Sequence, residues 1–253
     1  MQSCHVCQIS LLANEEESIY GHCRDAQSVV DREILTMRKR AFVDIVIMGL
    51  VFWSVWSLRF AGVENIGLWT TLAAVGAGAV LVVIRKDFWR DFGLRAGGDA
   101  RFVLSRAAEF SILTLVTGFT VIGLATAFGY PPSQSAVLTQ QPEALSGFLL
   151  DIVFGVWIGA AIGEELFFRG LLLTKFTTLF GGGRSALVLA VLAQAIWFGA
   201  GHVSQGISGM IMAGTIGAVL ATYFVTRGRR ALIPLMIAHG LVDTASQTIY
   251  FFR

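Results

Sequence analysis

The sequence contains few charged residues and few cysteines. Only 14% of its 253 residues are Asp, Glu, Lys or Arg, against about 25% in an average soluble domain. The net charge of +2 is too small to indicate a nucleic-acid partner. The three cysteines lie near the N-terminus, and an odd number argues against a disulfide framework. The first forty residues also lack the early apolar segment of a cleavable signal peptide.

Apolar residues, in contrast, make up 55% of the chain and form several runs long enough to cross a bilayer. We therefore predict an all-α, polytopic transmembrane helix bundle of about seven spans. In the sixth span, small residues recur at every fourth position, which predicts a close contact between helices. The predicted spans are 42–58, 66–84, 108–128, 147–176, 185–202, 206–226 and 232–252.

Clusters of Lys and Arg at positions 37–40, 85–106 and 227–230 indicate the cytoplasmic side of the membrane. They predict a cytoplasmic N-terminal tail, 1–40, followed by one membrane domain, 41–253, with the C-terminus outside. Three carboxylates, Asp44, Glu109 and Asp151, lie near predicted span ends. We expect them to reach the lipid headgroups.

The tail contains Cys4, Cys7, His22 and Cys23. These residue types suit zinc, but His22 and Cys23 are adjacent, and adjacent residues do not easily bind one tetrahedral ion. A reduced tail without metal is therefore the favoured interpretation.

Two adjacent carboxylates and an arginine interrupt the apolar run 147–176. Each charge costs about 2.5–3.5 kcal/mol near the centre of a membrane helix. Glu165 and Arg169 are four residues apart and can pair on one helical face. Glu164 lies about 100° away around the helix, which leaves it without that partner. A carboxylate of this kind in a membrane is a candidate functional residue.

Two later spans also carry polar residues at helical spacing. Phe198 precedes His202 by four residues, and His239 precedes Asp243 by four. If these faces meet Glu164, they form a polar cavity within the membrane. Three glycines beside the histidines are expected to leave room for water or a peptide backbone; they are Gly199, Gly201 and Gly240.

The sequence lacks several motifs of known hydrolases. It has no His-Glu-x-x-His motif, no Gly-x-Ser-x-Gly motif and no cysteine in any predicted span. A carboxylate that activates water, with histidines as hydrogen-bond donors, remains a suitable mechanism. The same residue types also suit a divalent metal ion; these are Glu164, His202, His239 and Asp243. Transport is a further alternative, but no inverted repeat supports it.

The ordered motifs resemble the CPBP family, which groups type II CAAX prenyl endopeptidases with bacteriocin-processing and immunity (Abi) membrane proteins. The pattern is Glu-Glu-x-x-x-Arg, then Phe-x-x-x-His, then His-x-x-x-Asn/Asp. It covers about 147–253 and implies that the last four spans form the catalytic core of an intramembrane glutamic protease without a cofactor. The matching residues are Glu164, Glu165, Arg169, Phe198, His202, His239 and Asp243.

The resemblance also implies a role for each residue. Glu164 would activate water together with His202, and Glu165 would be held by Arg169. His239 and Asp243 would help bind the oxyanion, with Phe198 as structural support.

Members that process CAAX proteins tend to carry Asn where this chain has Asp243. A carboxylate donates a hydrogen bond only when it is protonated, so Asp243 is also a candidate for orienting His239. This difference favours a bacterial inner-membrane protein that cleaves a membrane-associated peptide or protein without a prenyl group. A non-catalytic scaffold or a bacteriocin-immunity factor that retains the motifs is the alternative function.

Overall fold

The computed structural model describes residues 16–87, 92–94, 99–130, 144–226 and 232–252, with side chains from Gln27 onward. These residues form helices and connecting turns, and no strand occurs among them. The predicted all-α bundle is therefore confirmed. Its long helices are α1 Glu16–Ser57, α2 Ile66–Arg85, α3 Ala100–Ala127, α4 Leu145–Leu179, α5 Gly183–Gly201, α6 Gly206–Thr226 and α7 Leu232–Phe251.

Six of these seven helices are long and apolar enough to cross a membrane, by length and composition. The helix α7 has 20 residues but is less apolar, because His239, Asp243 and Gln247 interrupt it. The bounds of α6 and α7 agree closely with the predicted spans 206–226 and 232–252. The chain is thus an integral, multi-pass membrane protein.

The first helix is much longer than predicted. It begins at Glu16 and has 42 residues, which corresponds to about 60 Å, twice the roughly 30 Å thickness of the hydrocarbon layer. The polar residues 27–40, which the sequence predicts to be part of the tail, belong to α1. Near its middle, Arg38 Nε donates to the carbonyl of Leu179 at the end of α4, 2.8 Å away. The side chains of the proposed zinc ligands, Cys4, Cys7, His22 and Cys23, lie outside the described part of the chain.

The central helix α4 packs against α2, α5 and α7, while α3 covers α6 and α7. Glycines allow α2 to approach α4 closely beside the two glutamates. A Cβ atom added to Gly163 would lie 2.5 Å from Thr71 Cγ2. A glycine at this position therefore fixes the separation of the two helices.

The middle of α4, Asp151–Leu172, is a π-helix. In this form each backbone N–H bonds to the carbonyl five residues earlier, and such segments frequently occur at functional sites. The last of these bonds joins the N–H of Leu173 to the carbonyl of Phe168. Both glutamates and Arg169 belong to this segment.

Asp44 is fully buried, so the expectation that it reaches the headgroups is wrong. Its Oδ1 lies 3.1 Å from Arg85 Nη2, and its Oδ2 lies 2.9 Å from Lys175 Nζ. Lys175 also lies 2.8 Å from Asp87. The carboxylate is stable there because α2 and α4 each supply a cation, which offsets its desolvation.

The other two carboxylates near span ends are partly exposed. Glu109 lies 2.6 Å from Arg106, and Arg106 also donates to the hydroxyl of Tyr223, 2.9 Å away. This contact joins α3 to α6. Asp151 is partly buried at the start of the π-helical segment.

The small-residue face of α6 forms the close helix contact that was predicted. Its four residues are all buried. Opposite them, a Cβ atom added to Gly199 of α5 would lie 2.7 Å from the carbonyl oxygen of Met210. The buried Gln194 side chain crosses the same interface, donating to the carbonyl of Gly217 over 3.0 Å. The four residues are Gly209, Ala213, Gly217 and Ala221.

Candidate active site

A fully buried ion pair lies at the centre of the site. Arg169 Nη1 donates to Glu165 Oε1 over 2.9 Å, and both side chains are 0% exposed. This is the pairing that their four-residue spacing predicted. Glu165 Oε1 also lies 2.8 Å from Nδ1 of His239. Since a carboxylate accepts hydrogen bonds, the His239 ring donates from Nδ1 and is held by α4.

The opposite nitrogen of His239 also faces a carboxylate. Its Nε2 lies 3.3 Å from Asp243 Oδ2, one helical turn further along α7. The two carboxylates, Glu165 and Asp243, contact opposite nitrogens of the ring and fix its orientation.

Phe198 connects the first motif to the second. The guanidinium carbon of Arg169 lies over the Phe198 ring, 4.5 Å from the centre of the ring. This distance favours a cation–π interaction. The backbone carbonyl of Phe198 lies 2.7 Å from His202 Nδ1. A carbonyl oxygen only accepts, so Nδ1 of His202 carries the hydrogen. In the neutral ring, Nε2 then has a free lone pair for a proton or a water molecule.

Glu164 belongs to the same cluster of polar side chains. It is partly exposed, in contrast to Glu165, and the charges that act on it come from His202, His239, Asp243 and Arg169. The structure thus brings together the residues of all three motifs, although they lie on three different helices. A carboxylate with two neighbouring histidines has the components needed to move a proton from water.

The expectation about the glycines is wrong for two of them. A Cβ atom added to Gly240 would lie 2.8 Å from the ring of Trp157, and the space at Gly199 is filled by the α6 backbone. These two glycines allow neighbouring helices to approach closely, and they leave no room for water or substrate. At Gly201 the nearest atom is Phe52 Cζ, at the ordinary contact distance of 3.5 Å.

Trp157 and Thr71 border the site but were not predicted from the sequence. Trp157 packs on Gly240, next to His239, and Thr71 packs on Gly163, next to Glu164. The signal in the sequence is a glycine directly beside a polar site residue. It predicts a close neighbour but does not indicate which residue that neighbour is.

Among the described residues, no group of three or more His, Cys, Asp or Glu side chains has an arrangement that could hold a metal ion. Two potential ligand atoms are already used by protein contacts, because His202 Nδ1 bonds to a carbonyl and His239 Nδ1 to Glu165. The metal-dependent alternative therefore rests on residue types alone.

Comparison with protein families shows a match to the family described as type II CAAX prenyl endopeptidase, Rce1-like, over residues 146–245. No curated protein and no solved structure matches the chain. The matched segment is less than half of the chain, but it contains all three motifs and the helices α5 and α6 in full. The segment 146–245 is thus similar to the Rce1-like type II CAAX prenyl endopeptidases, in agreement with the resemblance of the three motifs.

Proposed function

We propose that this protein is an intramembrane endopeptidase that hydrolyses peptide bonds with water activated by Glu164 and His202. The observation that carries the proposal is the difference between the two adjacent glutamates. Glu165 is fully buried and bound to Arg169 and His239. Glu164 is partly exposed and is close enough to both histidines to interact with their charges. One glutamate thus organises the site, and the other is available for chemistry.

In the proposed reaction, Glu164 takes a proton from water while the oxygen forms a bond to the carbonyl carbon of the substrate. The resulting tetrahedral oxyanion needs hydrogen-bond donors. His239 Nε2 is the donor in this proposal: its contact to Asp243 is long, 3.3 Å, so its hydrogen can be shared with the oxyanion while Asp243 orients the ring. When the C–N bond breaks, the proton held by Glu164 passes to the leaving amine. His202 Nε2 helps to position the water, since its Nδ1 is fixed by Phe198.

The proposed substrate is a membrane-associated peptide or protein, because two of the three helices that carry the site, α4 and α5, are long and apolar enough to cross the bilayer. A bacterial inner-membrane location, with the N-terminus in the cytoplasm, is part of the same proposal. It is supported by the Lys and Arg clusters and by Asp243 in place of Asn.

The test compares Glu164→Gln with the wild-type protein. The full chain, purified in detergent, is incubated with a pool of acetylated apolar decapeptides, and products are identified by mass spectrometry. Glu164→Gln keeps the shape of the side chain and removes the base, so cleavage should fall by about 10²–10⁴-fold. Asp151→Asn is the matched control, because it makes the same change on the same helix outside the site, and it should retain activity.

Each alternative gives a different result. Undiminished cleavage by Glu164→Gln would exclude this mechanism. A scaffold or immunity factor predicts no cleavage by the wild-type protein and an unchanged membrane peptidome in cells that lack it. A metal-dependent peptidase predicts inhibition by chelators that added metal reverses.

A further inference from the structure

The two halves of α7 differ in composition and in burial. The first half, 232–240, has one polar side chain, His239, and holds all six buried residues of the helix. The second half, 241–251, has no buried residue. His239 therefore lies where a tightly packed half of the helix gives way to an open one. The second half contains six polar residues, Asp243, Thr244, Ser246, Gln247, Thr248 and Tyr250.

Four polar side chains of α7 share one face of the helix, which we call the polar stripe. They follow one another at intervals of four, three and four residues, close to one helical turn each. At one end of the stripe, His239 Nδ1 lies 2.8 Å from Glu165 of α4. The stripe therefore points into the bundle and not toward the lipid. Its members are His239, Asp243, Ser246 and Tyr250.

Neighbouring helices border the polar stripe on both sides. On one side α4 contacts α7 twice, because Trp157 packs on Gly240 and the rings of Phe148 and Phe251 stack with their centres 4.3 Å apart. On the other side α3 and α6 contact α7 through an apolar cluster. This cluster consists of Phe110, Leu220, Leu235 and Ala238.

Exposure increases along the stripe toward the end of α7. The side chain of Glu165, which contacts the first member, is 0% exposed, that of His239 is 15% exposed and that of Asp243 is 38% exposed. Ser246 and Tyr250 are exposed as well. The space beside the stripe therefore widens from the candidate active site toward the end of the helix.

The chemistry of the stripe indicates what fills this space. Polar side chains in a membrane helix face the bundle interior or a water-filled cavity, because lipid offers them no hydrogen bonds. The polar stripe faces the interior, yet the described part of the chain leaves its second half uncovered. Water occupies a space that is lined by hydrogen-bonding groups, whereas an apolar cavity stays dry.

We propose that the polar stripe lines a water-filled cleft, which joins the candidate active site to the aqueous phase at the end of α7. The second part of the proposal rests on the proposed function: hydrolysis of a peptide bond consumes a water molecule, and this cleft supplies it to Glu164. The ligand assigned to the stripe is water, and the substrate need not take the same path.

The neighbours Ala245 and Ser246 provide a matched test. Both are small and exposed, and successive residues point about 100° apart on a helix, so Ser246 faces the cleft and Ala245 faces away from it. The native cysteines, all within the first 23 residues, are first replaced by serine. Ala245→Cys and Ser246→Cys are then treated, in open membrane fragments, with a positively charged methanethiosulfonate.

Ser246→Cys should react about 10²-fold faster than Ala245→Cys, because a charged reagent is depleted by about this factor inside lipid. A thiol also reacts only as the thiolate, which needs water. Gln247→Cys and Leu241→Cys form a second pair and should differ in the same way. Equal reaction at all four positions would place the whole half-helix in bulk water, and no reaction at positions 246 and 247 would show a dry interface. Either result would overturn the proposal.

The labelling is repeated in the Glu164→Gln background, so its outcome does not depend on peptidase activity. The supply of water is tested by cleavage in the wild-type background. Labelled Ser246→Cys should lose kcat with little change in KM, because the attached group fills the cleft, while Ala245→Cys treated in the same way should retain both. Unchanged cleavage, or a rise in KM alone, which indicates obstruction of the substrate, would overturn the water supply and leave Glu164-dependent hydrolysis standing.

Discussion

The ring of Trp157 in α4 lies directly on Gly240 in α7, so that a Cβ atom at position 240 would come within 2.8 Å of it. The contact joins the helix that carries both glutamates to the helix that carries His239. The fit between these two residues therefore sets the distance between the first and third motifs.

We predict that Gly240→Ala destabilises the protein by about 1–3 kcal/mol, because the added methyl group overpacks the interface. It should also reduce cleavage, because it moves His239 away from Glu165. Both effects can be measured in detergent, by thermal melting and by peptide cleavage. Gly123→Ala is the control, since a Cβ atom there meets nothing within 4 Å. Equal melting of both variants would show that the contact is not tight.

Arg169→Ala should reduce stability as well as activity. It leaves Glu165 buried without its cation, and breaking a buried pair costs about 3–5 kcal/mol. Arg169→Lys should restore only part of the loss, because lysine lacks the planar group that lies over Phe198. The measurement is the yield and melting temperature of each variant in detergent. A wild-type melting temperature for Arg169→Ala would count against a stabilising role of the pair.

Glu164 and His202 should act as a unit. His202→Ala is expected to lose about as much activity as Glu164→Gln, and the double variant little more than either, since residues that act together are non-additive. The test is a comparison of kcat/KM for the three variants on one peptide. If the two losses multiply in the double variant, the residues act independently and the shared water is excluded.

The ion network at Asp44 should contribute strongly to stability. Asp44→Asn leaves the buried Lys175 with one carboxylate fewer, and we expect a loss of about 3–5 kcal/mol. The double variant Asp44→Asn/Lys175→Met should be less unstable than the sum of the single changes. Glu109→Gln provides the comparison: its pair is partly exposed, with the Glu109 side chain 42% accessible, and should contribute about 0–1 kcal/mol. Similar melting of Asp44→Asn and Glu109→Gln would contradict this difference.

The Lys and Arg clusters predict that the C-terminus lies on the outer side of the membrane. A reporter fused after Arg253 should therefore behave as an external domain. One fused at the N-terminus should behave as cytoplasmic. If both reporters are cytoplasmic, one of the seven long helices does not cross the bilayer, and α7 is the first candidate because it is the least apolar.

The sequence predicts those features that depend on neighbouring residues. The bounds of α6 and α7 follow from their apolar runs, and the Glu165–Arg169 pair follows from a four-residue spacing. Whether the three motifs meet was left open by the sequence, because residue spacing determines which groups share a helical face but not how the helices pack together.

Features that depend on distant partners were not predicted. Asp44 is buried because Arg85 and Lys175 reach it from two other helices, and no local pattern shows this. Likewise, the residue that fills the space beside Gly240 is known only once α4 and α7 have packed together. The helical continuation of α1 differs from the predicted tail, because polar residues occur both in tails and in exposed helices, and polarity does not distinguish the two.

The position of Lys175 has a consequence for how this protein can be divided. Lys175 belongs to the segment that matches the family, but its acidic partners, Asp44 and Asp87, come from the part of the chain that precedes it. A fragment limited to the family segment would contain a lysine separated from both of its counter-charges. Chimaeras that exchange this segment between proteins would therefore need to include the first two helices and Asp87, so that Lys175 keeps its acidic partners.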